Sequence, residues 1–317
     1  MSELPAPLRR LAAARNPSPR ARRVLSVLAV ALFVGGLAIA IPNLDITLAD
    51  LAIGPLLLVA VVLTPLTIVT NAAELRVMAD ATQDPGARLG WTEAIRIVVL
   101  ATAANVLPIP GAALVRVQAL RTRGASAAAA TGINLAGAGA WIGTGLIAAG
   151  MALLGVGGWR ALLALSVGIV ACVVAGLATA RVARPGRWRR SFSMLLGVEL
   201  LATVVHGVRL LAVLAALQVP LGLVESLVIA VSAPLSAAAG IFPSGVGLAE
   251  ALAALLGPLV GVAAAAALTA TALNRVIGLL VTAPLALLPG ARPDGSDHVA
   301  GVTDPRGDPA TGDELEH

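Results

Sequence analysis

The chain has 317 residues, of which 58 % are hydrophobic and 12 % charged, with a mean hydropathy of +0.92. Soluble chains carry roughly a quarter charged residues, and at half that share too little polar surface remains to cover a particle of this size in water; a water-soluble globular protein is excluded. The 22 basic residues exceed the 17 acidic ones and are all arginine, so no P-loop lysine exists and an ordinary P-loop ATPase is excluded with it.

The first 23 residues hold Arg9, Arg10, Arg15, Arg20, Arg22 and Arg23 and read as a cytoplasmic basic arm. About 20 apolar residues are needed to cross the hydrocarbon. Stretches of that length lie at 24–41, 51–72, 126–154, 161–181, 192–217 and 260–288. The loop after the first span carries Asp45 and Asp50, whereas the loops at 74–96 and 181–190 are rich in arginine. Positive loops stay inside, which puts both termini in the cytoplasm and makes the protein a multi-pass protein of the cell membrane.

Two apolar stretches are too short for whole spans. Residues 94–123 run into Asn105-Val-Leu-Pro108-Ile-Pro110-Gly111 and return with Arg116, Arg121 and Arg123, which predicts a re-entrant hairpin from the cytoplasmic side. Residues 223–257 repeat the pattern around Ile241-Phe242-Pro243-Ser244-Gly245-Val246-Gly247 between arginine-free flanks, which predicts a hairpin from outside. The expected fold is therefore all-α, with six full spans and two re-entrant hairpins, or eight helices if each hairpin is counted once. A first half at 24–154 and an inverted second half at 161–288 follow, with a polar, disordered acidic tail at 291–317. A short echo accompanies the repeat: Gly124-Ala-Ser-Ala-Ala after the first hairpin and Gly261-Val-Ala-Ala-Ala after the second. Interrupted segments at matching places in two inverted halves point to a transporter binding site.

The motif Asn105-x-x-Pro108-x-x-Gly111-x-x-x-x-Arg116, followed by Pro243-Ser244-Gly245-x-Gly247-x-x-Glu250, resembles the flippase-like integral membrane family. Its best-known relative is the N-terminal membrane region of lysylphosphatidylglycerol synthase, the multiple peptide resistance factor. The similarity covers about residues 24–288 and implies a lipid translocator or lipid-pathway membrane protein. The chain departs from the family pattern at Gly111-Ala112 and Ser244-Gly245. It departs again at Ile133, Asn134 and Gly137, where many members hold an acidic–arginine pair and a nearby aspartate.

Charges inside spans are expensive and default to functional candidates. Glu199, Thr203, His206 and Arg209 share about a 120° arc of the span 192–217. Arg275 sits near the middle of 260–288, with Thr271, Gly278 and Thr282 on its side, and Glu250 follows the second hairpin tip. A guanidinium grips phosphate bidentately, so Arg209 and Arg275 suit a phospholipid or polyprenyl-phosphate headgroup. Glu250 or Glu199 would hold them when substrate is absent, with Glu199 and His206 as ion-pair or relay residues. Asn105, Arg116, Ser244, Gly245 and Gly247 complete the expected binding set. One cysteine, Cys172, and three dispersed histidines leave no metal set, and no cofactor is expected. Nucleic acid is a poor reading of the positive charge, because the arginines gather at span ends.

The leading expectation is a flippase that moves a phosphate-bearing lipid through a polar furrow between the hairpins. The alternative is a non-catalytic membrane partner of a separate lipid-modifying or glycan-building enzyme. A membrane-embedded transferase comes third, because no aspartate lies between Asp84 and Asp294 to build an Asp-based metal site in the later spans.

Overall fold

The computed structural model describes residues 50–83, 89–104, 111–155, 158–239 and 246–287, with isolated positions between 31 and 42. The basic arm, most of the first expected span, both hairpin tips and the tail lie outside the described residues. Among the described residues the chain is entirely helical, and five helices are long and apolar enough to cross a membrane. These are α1 (Ile53–Thr82), α4 (Ala127–Leu153), α5 (Trp159–Val182), α6 (Trp188–Ala216) and α10 (Ala264–Leu287). Shorter helices stand between them: α2 (Trp91–Ala104), α3 (Gly111–Arg121), α7 (Leu223–Ala230), α8 (Ser232–Ala239) and α9 (Leu248–Leu256).

Proline sets the irregularities. Pro65 has no N–H and its ring crowds the carbonyl four residues back, and α1 widens into a π-turn at Val59–Leu63 just before it. The Thr64 hydroxyl donates to the Val59 carbonyl at 2.8 Å and occupies an acceptor in that turn. Pro234 acts likewise on the next broken segment: the helix stops at Ala230, four residues earlier, and restarts at Ser232.

One boundary differs from the sequence expectation. The second span does not end at residue 72 with a loop from 74; α1 continues through Thr82, and Glu74 lies inside it with 7 % of its surface exposed. The helix can continue past a carboxylate because that carboxylate is neutralised by a guanidinium from α3.

Helices α1 and α6 run antiparallel along their whole length. At one end the Ala52 N–H donates to the Ala216 carbonyl (3.1 Å), and at the other the Arg184 N–H donates to the Ala81 carbonyl (3.0 Å). Helices α4 and α5 pack so closely that a Cβ on Gly143 would fall 2.4 Å from Cys172 Sγ and 2.9 Å from the Gly168 carbonyl oxygen. That contact is what the small-residue run from Gly137 to Gly145 provides.

The two ends of the bundle differ in charge. One gathers Arg121, Arg123, Arg181, Arg184, Arg187, Arg189 and Arg190, while Arg160 is the described arginine at the other. Trp91, Trp159 and Trp188 are exposed at these ends, each under an arginine guanidinium, Arg76 over Trp91 being the closest at 4.3 Å from the ring centre. Helices α2 and α3, 14 and 11 residues long, both have their outer ends on the arginine-rich side, where Glu93 and Arg123 form an ion pair. The outer ends of α7 and α9 meet on the opposite side, where Leu217, Val219 and Leu221 share one apolar cluster with Val260 and Val262. Gly124 and Gly261 hold positive φ (91° and 78°), each three residues before a long helix, α4 after the short α2 and α3, and α10 after the short α7, α8 and α9. The sequence echo is thus a matched turn.

Candidate functional site

Burial of charge builds the site. Glu250 stands in the first turn of α9 with 1 % of its surface exposed. Its Oε2 accepts from the Gly247 N–H at 2.7 Å, closing the helix N-terminus, and its Oε1 accepts from Arg275 Nε at 2.8 Å. Gly247 has φ 80°, a left-handed conformation that favours glycine. The spacing Gly247-x-x-Glu250 is therefore a capping arrangement in which the carboxylate holds the helix end and an arginine of α10 together.

Arg209, on α6, is also buried, with 6 % exposed. Its Nη1 donates to the Thr67 hydroxyl on α1 (3.1 Å) and its Nη2 to the Asn274 carbonyl on α10 (3.3 Å). Its Nε is buried without a partner, and among the described residues no carboxylate pairs with it. Gly278 makes room for this guanidinium: a Cβ there would stand 3.2 Å from Arg209 Nη2. Because Asn274 precedes Arg275, the two arginines meet α10 at adjacent residues. His206 lies one turn before Arg209 on α6. His206 lines a small crevice with Trp141, Gly145, Thr203, Val231 and Pro234, at the break between α7 and α8. Neither Arg209 nor Arg275 lines this crevice.

A second cluster lies nearer the arginine-rich end. Arg116 Nη1 on α3 donates to Glu74 Oε2 at 2.8 Å, and Glu199 on α6, the helix packed antiparallel to α1, is buried with its Oε1 lacking a partner among the described residues. Gly137 of α4 is the wall of this cluster, since a Cβ there would be 2.8 Å from Glu74 Oε1 and 2.2 Å from Met78 Cε.

The structure thus brings together Arg275, Glu250 and Gly247, sets Arg209 against Thr67 and the Asn274 carbonyl, and places His206 in the crevice. It separates from them Arg116 and Glu199, which form the second cluster. Asn105, Ser244 and Gly245 lie outside the described residues, so the expected meeting of the hairpin tips does too. Three residues were missed by sequence reasoning: Glu74, Thr67 and Asn274. Thr67 and Asn274 gave no signal beyond being polar within an apolar span. Glu74 gave one, since a carboxylate close behind a long apolar run can belong to the span when an arginine elsewhere neutralises it. The described residues gather no group of three or more His, Cys, Asp or Glu able to hold a metal ion. No protein-family model, curated protein or solved structure matches the chain.

Proposed function

We propose that the protein is a translocator of phosphate-bearing lipid in the cell membrane, and that Arg209 and Arg275 receive the headgroup. The observation that carries this reading is Arg209. A guanidinium at span depth costs about 2.5–3.5 kcal/mol on insertion scales unless something answers its charge. Here its partners are a hydroxyl and a carbonyl, both neutral, and its Nε–H has no partner among the described residues. An anion with several acceptor oxygens would complete it, and a phosphate does so with charge-assisted hydrogen bonds about twice as strong as neutral ones. Arg275, held by Glu250, would be released toward the same anion when it arrives.

The architecture we infer around this site has six spans and two hairpins re-entering from opposite faces, in two inverted halves. The antiparallel pairing of α1 with α6, the lengths of α2 and α3, and the matched turns at Gly124 and Gly261 support it. The arginine-rich end is then cytoplasmic, as are both termini. Single cysteines should label at 43–50 from outside and at 116–123 and 183–190 from inside. Labelling of 116–123 from outside would mean that the first hairpin crosses and the inverted repeat fails.

The functional test is reconstitution in liposomes with fluorescent phospholipids beside a diacylglycerol that lacks the phosphate. The proposal expects translocation of the phosphate-bearing lipids above protein-free vesicles. Absence of movement for every phosphate-bearing lipid, from correctly folded protein, would refute it and leave a partner of a separate lipid-modifying enzyme as the better reading.

A further inference from the structure

The turn between α5 and α6 carries more charge than the fold uses. No acidic residue stands between Glu93 and Glu199, so this stretch of chain cannot neutralise its own arginines. Two of them brace the turn against the C-terminal end of α1: Arg184 Nη1 donates to the Gln83 carbonyl (3.1 Å) and Arg187 Nη1 to the Asp80 carbonyl (3.3 Å). Arg181, Arg189 and Arg190 brace nothing. All three are exposed, and none has an acidic partner among the described residues. Arg189 and Arg190 even oppose their own helix. They stand in the first turn of α6, which has no acidic residue and no side-chain cap, and cations there meet the positive end of the helix dipole. Local helix stability does not explain the pair.

An apolar stripe runs into these arginines. Leu163, Val167, Val170, Val174 and Leu177 recur at alternating spacings of four and three on one face of α5, and each is 46–60 % exposed. The same spacing makes Arg181 the next residue on that face. With 24 residues α5 is about 36 Å long, more than the roughly 30 Å of hydrocarbon, so its last turn stands at headgroup depth. Trp188 marks the same level, as interfacial tryptophan does; it is 37 % exposed, with the Arg189 guanidinium 5.5 Å from its ring centre.

We propose that this surface binds an anionic phospholipid, with an acyl chain along Val170, Val174 and Leu177 and the phosphate on Arg181, Arg189 and Arg190. From Val170 to Arg181 the helix rises about 16 Å, close to the hydrocarbon depth of one leaflet. Guanidinium forks take phosphate oxygens bidentately, and an anion here also answers the positive end of α6. A soluble anion fits the arginines alone, whereas a lipid fits the arginines and the stripe together. The surface is separate from Arg209 and Arg275, and the inference does not depend on translocation.

The test is electron paramagnetic resonance of the full chain reconstituted in phosphatidylcholine vesicles, with nitroxide-labelled phosphatidylglycerol or phosphatidylcholine as the probe. Both leaflets carry the probe, so the orientation of the protein does not affect the reading. Wild type should hold a larger motionally restricted fraction of the phosphatidylglycerol probe, and added salt should shrink the difference. Each arginine near an anionic surface is worth roughly fivefold in association, so a triple variant, Arg181→Gln with Arg189→Gln and Arg190→Gln, should restrict the two probes about equally. Arg189→Gln alone relieves the clash with the dipole, so it should fold at least as stably as wild type and lose part of the preference. Arg160→Gln, at the opposite end of α5, should keep the wild-type preference. Equal restriction of both probes by wild type would overturn the proposal and leave the arginines the task of orienting the chain at insertion. An undiminished preference in Arg189→Gln and in the triple variant would overturn it too, and its loss in Arg209→Gln would then assign the anionic lipid to the headgroup site. Abolition of the preference by inorganic phosphate at constant ionic strength would also overturn it, by assigning the arginines to a soluble anion.

Discussion

The two buried clusters are built from the same residue types in opposite proportion. On the arginine-rich side of α6, Glu74 and Glu199 are two buried carboxylates, and the one guanidinium paired there, Arg116, is on Glu74. On its other side Arg209 bonds Thr67 and the Asn274 carbonyl, and the next residue, Arg275, is paired with the one carboxylate, Glu250. Glu74 and Arg209 occupy corresponding places, each in the last third of an antiparallel partner helix, with opposite charge. The comparison teaches that the same residue types, set on the same two antiparallel helices, leave opposite charges without an ionic partner.

The contrast is most sharply broken by removing Arg275. Arg275→Ala leaves Glu250, nearly inaccessible to solvent, without its guanidinium. Stranding one member of a buried pair costs about 3–5 kcal/mol, and thermal unfolding in detergent should register it as the largest loss in the set. Arg275→Lys keeps the charge but loses the planar fork, so it should fold while translocating poorly. The next effect belongs to Thr67→Val, which takes a hydroxyl acceptor from Arg209 and should cost about 1.5–3 kcal/mol, the range for hydrogen bonds to charged groups. If its stability matches wild type, the Thr67 bond does not hold the guanidinium.

Glycine variants sharpen the comparison at smaller amplitude. Gly137→Ala pushes a methyl into Glu74 Oε1 and Met78 Cε and should cost about 1–3 kcal/mol as overpacking. Gly278→Ala meets only the mobile end of Arg209 at 3.2 Å and should cost less than about 1 kcal/mol. The two are separable by calorimetry, and a reversed order would mean that the Glu74 cluster is the looser of the two.

Arg209, Arg275, Glu199 and Glu250 were legible in the sequence because each interrupts an apolar run, where its cost makes it conspicuous. Of the two carboxylates offered as arginine partners, Glu250 and Glu199, it is Glu250 that pairs with Arg275. Glu74 was not, because it follows the apolar run of its span closely and local composition places it in a loop. What keeps it in the helix is Arg116, on a different element, and no local pattern carries that information. Two short helices, α2 and α3, stand where the sequence predicts the arms of a hairpin, yet α2 begins at Trp91 rather than 94, where the ring lies beneath Arg76. The crevice beside His206 arises from the break ahead of Pro234, a consequence of tertiary packing that the proline alone only hints at.

The central claim is that Arg209 waits for an anion, and one variant tests it most directly. Arg209→Gln removes a buried charge that has no carboxylate partner, so the account predicts stability equal to or above wild type. Its translocation of phosphate-headgroup lipid in liposomes should nonetheless fall to the level of empty vesicles. Undiminished translocation by a well-folded Arg209→Gln protein would contradict the account, and so would a severe loss of stability, which would make Arg209 a packing residue.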